Sequence, residues 1–203
     1  IHITRQFVAD TKKLESDLVI TSKGLNVLKN ELTHARMEAT TDSLTGLLNR
    51  RGFENQIKKI LNDRRRNGTN FSIVIVDIDH FKDINDKYGH LFGDKILKVF
   101  AKMLQEKTRS TDYTARFGGE EFILLLPETA LDNAYNVSEH IRTSIEKLQV
   151  RHTKTGEVVK SLTASFGVAC HRFDEPLESL LDRCDQAMYK AKETGRNQTV
   201  KST

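Results

Sequence analysis

The chain has 203 residues, enough for one sizeable domain and an appendage, and its 37% hydrophobic and 30% charged residues are typical of a soluble protein with exposed helices. No apolar run approaches the ~20 residues of a membrane-spanning helix and no stretch resembles a signal peptide, so we expect a cytoplasmic location. The net charge of +4 is spread evenly along the chain, which argues against a nucleic-acid partner.

The N-terminal residues have the pattern of a long helix that needs a partner. Between residues 7 and 39, apolar and small side chains recur at alternating spacings of three and four, as in a heptad seam. The seam consists of Phe7, Thr11, Leu14, Leu18, Thr21, Leu25, Leu28, Leu32, Ala35 and Ala39. We predict a stalk over residues 1–40 that forms a parallel two-stranded coiled coil. The alternative is a helix packed onto its own domain.

The chain begins with Ile1 rather than methionine, so we expect a segment of a longer polypeptide. Its upstream part could hold a sensor or a membrane tether. After the stalk, Arg50 opens an amphipathic helix that turns Phe53 and Ile57 inward. The basic run 64–66 is interpreted as part of a solvated loop rather than as a nucleic-acid contact.

The next element is a nearly continuous β-branched run, residues 71–79, which predicts a strand buried on both faces. It ends in Asp77-Ile78-Asp79, and buried carboxylates must be solvated, paired or bound to metal. Mg²⁺ takes oxygen ligands, so this strand end is a candidate metal site. A helical pattern resumes after Gly93 and places Asp94 in the first turn, where its charge suits the helix dipole.

Two strand-like runs, 112–117 and 122–126, flank Gly118-Gly119 and predict a β-hairpin. We attribute the glycines to a tight primed turn, which requires positive φ. Glu120 and Glu121 follow at once and concentrate negative charge at the hairpin tip. If the 71–79 strand lies beside this hairpin, Asp77 and Glu120 could share one cation.

The remaining elements are a helix over 131–148, short strands around Gly156, a core strand over 162–170 and a helix over 178–194 that stops at Gly195. Cys170 and Cys184 lack metal-site spacing and are predicted to be small core residues in a reducing compartment. Helices alternate with strands, and the hairpin adds antiparallel pairing. We therefore predict an α/β fold with a mixed central sheet and helices on both faces.

Five separated blocks of the chain resemble, in order, the GGDEF family of diguanylate cyclases, here with the signature Gly118-Gly119-Glu120-Glu121-Phe122. The blocks are Asp42–Arg50, Asp77–Asn85, Tyr88–Asp94, Arg116–Phe122 and Ala187–Asn197. The resemblance implies a palm-like nucleotidyl-cyclase fold over residues 41–203. It also implies an enzyme that condenses two GTP into cyclic di-GMP and two pyrophosphates, with Mg²⁺ (or Mn²⁺) as cofactor.

The resemblance further implies roles for individual residues. Metal would be held by Asp77, the backbone carbonyl of Ile78, Glu120 and Glu121, with Glu121 either ligating a second ion or helping to activate the hydroxyl. Gly118 and Gly119 would let the nucleotide approach the backbone. The other implied contacts to the substrate are Phe81, Asn85 and Asp94 at the guanine and Lys82, Lys192 and Arg196 at the phosphates.

Arg109 and Asp112 match the family's Arg-x-x-Asp motif for inhibition by cyclic di-GMP; the alternative is a local ion pair of little energetic value. Because one domain holds one GTP, the resemblance also implies a homodimer, and the stalk would raise the effective concentration of the second half-site. A regulatory protein or upstream sensor could act on that stalk. Two rivals remain open: a non-catalytic receptor for GTP or cyclic di-GMP, and a scaffold with a vestigial domain.

Overall fold

The computed structural model describes residues 2–152, 156–160 and 162–202, with side chains described outside 2–17, 19–20, 36, 63–67 and 160. The chain divides into two compact units, residues 1–39 and 40–203. The first unit is a helix and the second is an α/β domain.

The first helix, α1, runs from His2 to Thr40. Its described seam residues face solvent: Leu18, Leu25, Leu28 and Leu32 are 53–67% exposed. The side chains of Phe7, Thr11 and Leu14 lie outside the described residues. Across the described helices, the structure contains none with the length and apolar character needed to cross a bilayer.

The domain is built on a five-stranded sheet whose centre is β1, Phe71–Ile78. The order is β2 (Tyr113–Arg116), β3 (Glu121–Pro127), β1, β6 (Ala164–Cys170) and β7 (Thr199–Lys201). Every pairing is antiparallel except β6 with β7, which is parallel. The predicted mixed sheet is therefore confirmed, and β7 is a strand that the sequence did not indicate.

Helices cover both faces of this sheet, as predicted. Alternate residues of β1 enter two separate cores: Val74 and Val76 lie in one, and Ile73 and Ile75 lie in the other. The first core contains residues of α4 (His90–Lys107) and α5 (Leu131–Glu146). The second contains residues of α2 (Arg50–Asn67) and α6 (Leu177–Glu193). Every residue of β1 is buried, as its β-branched sequence predicted.

The short helix α3, Phe81–Tyr88, follows β1 and meets α4 at Gly89, whose φ of 83° lies in the region that glycine tolerates best. A separate two-stranded ribbon pairs β4 (Gln149–Arg151) with β5 (Val158–Lys160). Cys184 is fully buried in the second core, which confirms its prediction as a core residue, whereas Cys170 at the end of β6 is only partly buried. Burial raises the pKa of the Cys184 thiol to about 12.

Two local predictions were wrong. The basic run 64–66 belongs to α2, which continues to Asn67, because the helix extends past its last apolar contact before the chain turns at Gly68. Asp94 lies beyond the first turn of α4, because that helix already begins at His90. A dipole interaction at the helix N-terminus therefore does not account for Asp94.

Candidate active site

The register of the sheet brings the acidic end of β1 against the acidic tip of the hairpin. Asp77 is the cross-strand partner of Glu121. The backbone N–H of Ile78 donates to the carbonyl oxygen of Glu120 at 3.4 Å. The adjacency on which the sequence argument depended is therefore present. We call Asp77, Glu120 and Glu121 the acidic cluster.

Two carboxylates of the acidic cluster, Asp77 and Glu120, are partly shielded from solvent. Burial raises the pKa of Asp77, and the nearby Asp79 adds to this, while a 2.8 Å ion pair with Nζ of Lys192 opposes it. The pKa of Glu120 is also raised, first by burial and then by the charge of Asp77. Neighbouring carboxylates of this kind attract a cation. The ammonium group of Lys192 neutralises part of the negative charge at Asp77.

The cluster does not form a complete metal cage by itself. Among the residues that the structure describes, no group of three or more His, Cys, Asp or Glu side chains is arranged to hold a metal ion. Mg²⁺ characteristically uses one or two carboxylates and draws its remaining ligands from water and substrate phosphates. The acidic cluster fits that incomplete arrangement.

The hairpin turn differs from the prediction. Residues 117–120 connect β2 to β3, and the backbone N–H groups of Phe117 and Gly118 both donate to the carbonyl oxygen of Glu121, at 2.8 and 3.3 Å. Neither Gly118 nor Gly119 has a positive φ, so a tight primed turn is not the reason for them. A Cβ on Gly118 would collide with the carboxylate of Glu121, whereas one on Gly119 would meet nothing within 4 Å. Gly118 therefore leaves room for an acid of the cluster.

Arg116 holds this turn in place, a role that sequence reasoning missed. Its Nη2 donates to the carbonyl oxygen of Gly119 at 2.7 Å, and its Nη1 lies 3.3 Å from both carboxylate oxygens of Asp42. Asp42 also accepts hydrogen bonds from the backbone N–H and the hydroxyl of Thr45. Burial of Asp42 raises its pKa, but the hydrogen bonds from Thr45 and the charge of Arg116 outweigh this and keep the pKa below its usual value. The joint after α1 is thus attached to the hairpin tip.

The residues predicted to bind guanine lie on α3 and α4, next to the turn at Gly89. Asn85 packs over Gly93, where an added Cβ would collide with the amide oxygen of Asn85 and crowd the ring of Phe81. Gly93 thus allows α3 and α4 to approach each other. Phe81 is buried, and Asn85 and Asp94 are partly exposed.

The three cationic residues predicted to contact the phosphates differ in their pairing and exposure. Lys192 lies on the acidic cluster through its ion pair with Asp77. Lys82, the second residue of α3, and Arg196, which follows α6, are both exposed. Arg196 has a left-handed backbone with φ of 60°, which is uncommon for a residue with a side chain.

The Arg109–Asp112 motif forms a local turn beside a cavity. The carboxylate of Asp112 accepts a hydrogen bond from the backbone N–H of Arg109 at 2.8 Å. The backbone N–H of Asp112 donates to the carbonyl oxygen of Arg109 at 3.0 Å. Both of these hydrogen bonds use the backbone of Arg109, and neither involves its guanidinium. A cavity of about 290 Å³ lies against both residues and is also lined by Asn133 and Asn136 of α5.

Comparison with known proteins identifies the family. Residues 39–198 match the family described as "Diguanylate cyclase, GGDEF domain". The chain is 40% identical to the diguanylate cyclase VdcA of Vibrio cholerae over 205 residues, which cover 98% of this chain and 59% of VdcA. The chain thus spans less than two thirds of that relative.

Two solved structures are similar across nearly the whole chain. The coiled coil and GGDEF domain of DgcB from Caulobacter crescentus, in complex with c-di-GMP, has a TM-score of 0.86 at 30% identity and covers 93% of this chain and 98% of that one. The diguanylate cyclase SiaD from Pseudomonas aeruginosa, in complex with its activator SiaC, has a TM-score of 0.80 at 33% identity and covers 98% of this chain and 75% of that one. From these matches and the geometry of the acidic cluster, the chain belongs to the GGDEF-domain family of diguanylate cyclases.

Proposed function

We propose that this protein is a diguanylate cyclase that condenses two GTP molecules into cyclic di-GMP and two pyrophosphates. The observation that carries the proposal is the pairing of Asp77 with Glu121 across β1 and β3, which gathers the acidic cluster at one edge of the sheet. Membership in the family and 40% identity to a diguanylate cyclase support the same activity.

In the proposed reaction, the 3′-hydroxyl of one GTP attacks the α-phosphorus of the other. A P–O bond to the new ester forms, the bond to pyrophosphate breaks, and the hydroxyl proton is released. The step then repeats with the roles exchanged and closes the ring. Such phosphoryl transfer depends mainly on alignment and on neutralising charge.

The acidic cluster would hold the cation. Asp77, Glu120 and the backbone carbonyl of Ile78 are the proposed ligands of Mg²⁺, for which Mn²⁺ could substitute, and Glu121 would hold a second ion or help to activate the hydroxyl. When bound, Mg²⁺ supplies charge stabilisation at the attacking and leaving oxygens. The raised pKa values of Asp77 and Glu120 support this role, because a bound cation would offset the burial and the neighbouring negative charges that raise them.

The helical turn around Gly89 would select guanine. Guanine presents N1–H and N2–H₂ side by side, a pair that the carboxylate of Asp94 can accept together and that adenine lacks. Asn85 would bind the base through its amide, and Phe81 would support it. Both polar residues retain exposed surface, which this role requires.

Three cations would neutralise the triphosphate: Lys82, Lys192 and Arg196. The ion pair of Lys192 with Asp77 places one of them at the cluster. We infer that Lys192 exchanges Asp77 for a phosphate oxygen when metal and nucleotide bind. Gly118 and Gly119 would let the triphosphate approach the hairpin backbone without meeting a side chain.

The stalk would bring two domains together. We assign residues 1–40 to a dimeric coiled coil and residues 41–203 to the catalytic domain. The exposure of Leu18, Leu25, Leu28 and Leu32 supports this, because a seam of leucines exposed to water on a lone helix is stabilised by burial against a second copy. The similar DgcB structure is described as containing a coiled coil.

The cavity at Arg109 and Asp112 is the proposed site of product inhibition. The guanidinium of Arg109 can donate two parallel hydrogen bonds to guanine or to a phosphate. The volume of about 290 Å³ can admit part of a dinucleotide rather than all of it, so the ligand would extend outside the cavity. Binding of c-di-GMP by the similar DgcB structure supports this assignment.

An upstream sensor or a regulatory protein acting on the stalk would control the encounter of the two domains. The similar cyclase SiaD binds an activator, SiaC, which supports control of this type. The GTP substrate and the free thiols of Cys170 and Cys184 agree with a cytoplasmic location.

Purified protein supplied with GTP and Mg²⁺ tests the proposal directly. We expect release of one pyrophosphate per GTP consumed and a product with the mass of cyclic di-GMP. Binding of GTP without pyrophosphate release would identify a receptor, and neither binding nor release would identify a scaffold. A product with the mass of cyclic GMP would indicate cyclisation within one nucleotide.

A further inference from the structure

The turn that follows α6 is conformationally unfavourable, and something must hold it. Gly195 has φ of 117°, and the next two residues, Arg196 and Asn197, are left-handed at 60° and 46°. A side-chain residue in this region persists where the surrounding structure over-determines it. We call residues 195–198 the basic turn.

Backbone hydrogen bonds join the basic turn to α6 and β6, and Asn197 adds hydrogen bonds to α5 and to the residue after β1. Its backbone N–H donates to Oδ2 of Asp79 at 3.0 Å. Its side-chain oxygen accepts from Nη1 of Arg142 at 3.0 Å, and its side-chain nitrogen donates to Glu146 at 3.2 Å. Three atoms of one residue therefore tie the turn to the segment that follows β1 and to α5.

Two of the three partners of Asn197, Arg142 and Asp79, are themselves held by further hydrogen bonds. The side chain of Arg142 is 16% exposed and binds both carboxylate oxygens of Glu139, at 2.9 and 3.0 Å, which fixes the plane of its guanidinium. Asp79 is buried and accepts at its other oxygen from the hydroxyl of Ser165 at 2.7 Å. The second aspartate of the Asp-Ile-Asp strand end is thus occupied in holding the basic turn.

We propose that Arg142, Asn197 and Asp79 position Arg196 for the triphosphate of GTP. Asp77 and Asp79 are two residues apart at the end of β1, so the same strand end carries an acid of the cluster and the anchor of the basic turn. The anchoring, together with the hydrogen bond from the backbone N–H of Arg196 to the carbonyl oxygen of Ala191, holds Arg196 in a backbone conformation it would rarely adopt alone and sets where its side chain leaves the turn. This inference rests on the proposed function, and Arg142 and Asn197 are positioning residues that do not themselves touch the substrate.

The first test compares two arginines that are matched in burial and bonding. Arg183 is 17% exposed and also binds both oxygens of a glutamate, Glu175, but its other partners are Ser202 and the carbonyl of Cys170. Arg142→Lys and Arg183→Lys should therefore lower the melting temperature to a similar extent. Only Arg142→Lys should weaken binding of the α,β-methylene analogue of GTP, by about fivefold.

The second test asks whether the effect passes through Arg196. Asn197→Ala should weaken binding of the same analogue, and raise the KM for GTP, about tenfold, the change expected when one charge-assisted contact is lost, with kcat changed less than about threefold. In an Arg196→Ala background, Asn197→Ala should change affinity by less than about twofold further, because the contact it positions is already absent.

Equal effects of Arg142→Lys and Arg183→Lys on affinity would overturn the inference. So would a full tenfold effect of Asn197→Ala in the Arg196→Ala background. An unaltered chain that makes no cyclic di-GMP would contradict the proposed function instead, whereas an active chain with unaffected variants contradicts this inference alone.

Discussion

Glu120→Gln separates the catalytic use of the acidic cluster from its cost to folding. Glutamine keeps the shape of the side chain and removes its charge. At neutral pH, ionised Glu120 lies partly buried and close to the charge of Asp77, and both effects raise its pKa. A carboxylate whose pKa is raised in the folded state opposes folding once it is ionised, so its removal should stabilise the metal-free protein.

The expected gain is small because Glu120 is partly exposed to solvent. Repulsion between partly exposed like charges is worth about 0.5 kcal/mol, and for a domain of this size that is about 1–2 °C in Tm. The same variant should lose about 10³-fold or more in cyclic di-GMP synthesis, because stabilisation of transition-state charge is lost.

The pH dependence has a definite sign. Ionised Glu120 lowers the free energy of unfolding at pH 7. This penalty disappears as the pH falls through the raised pKa of Glu120, since the protonated side chain is neutral like glutamine. The gap in Tm between variant and parent should therefore close near pH 4, around the ordinary pKa of a glutamate of ~4.3. Differential scanning fluorimetry across this range, together with a pyrophosphate-release assay at pH 7, measures both effects.

Glu106→Gln is the control, since Glu106 lies on the exposed surface of α4 with a 3.8 Å ion pair to Lys102. It should change neither activity nor the pH dependence of Tm. A Glu120→Gln protein that melts lower than the parent at pH 7 without metal, or that retains a tenth of its activity, would refute the reasoning.

The remaining predictions concern the stalk, the inhibitory cavity, the hairpin and the joint. Deleting residues 1–40 should lower activity and make it depend on enzyme concentration, measured by serial dilution, because the second half-site is no longer tethered. Arg109→Ala should relieve inhibition by added cyclic di-GMP in the same assay, with the uninhibited rate retained. Gly118→Ala should lower kcat about tenfold or more, because the new methyl group displaces an acid of the cluster. Asp42→Asn should lower the free energy of unfolding by about 1–2 kcal/mol in urea titrations, because it removes a half-buried partner of Arg116, and this loss should shrink as acid protonates Asp42.

Each of these has an outcome that contradicts it. Unchanged activity of the stalk deletion at high dilution would exclude a tethering role. Inhibition of Arg109→Ala equal to that of the parent would remove the cavity as the product site. Gly119→Ala is the matched control for Gly118→Ala, since a Cβ on Gly119 meets nothing within 4 Å, and equal losses in the two would reject the steric argument. An Asp42→Asn protein as stable as the parent would show that the ion pair with Arg116 contributes nothing.

Local pattern was sufficient for most elements of the domain, although not for β7. The β-branched run predicted that β1 is buried on both faces, and the two apolar runs around Gly118 predicted the hairpin. The 3.6-residue periodicity located α5 and α6 to within two residues of their ends. These features depend on short-range sterics and on which side chains must leave water, and both are present in the sequence itself.

Predictions from residue type were wrong where packing against neighbouring residues determines which residue is needed. Gly118 was attributed to backbone conformation, yet its φ is ordinary and its function is to leave space for Glu121. Asp94 was predicted to lie in the first turn of a helix, but that helix, α4, begins four residues earlier, at His90. Local preference gives the conformations that a glycine permits and a helix boundary only to within a few residues, so neither the space that Gly118 leaves nor the start of α4 could be predicted from it.

By itself, the sequence determined most of the elements, the alternation of helices and strands, and the acids at the end of β1 and at the hairpin tip. Only the tertiary structure decided which distant groups meet: Arg116 reaches Asp42 across 74 positions, and Asn197 reaches Asp79 across 118. Such pairs have no local signature, because each residue by itself suits an exposed loop or a turn. They form because packing β1 between β3 and β6 fixes where both partners lie, and a buried carboxylate in that place is stable only when hydrogen bonds reach it.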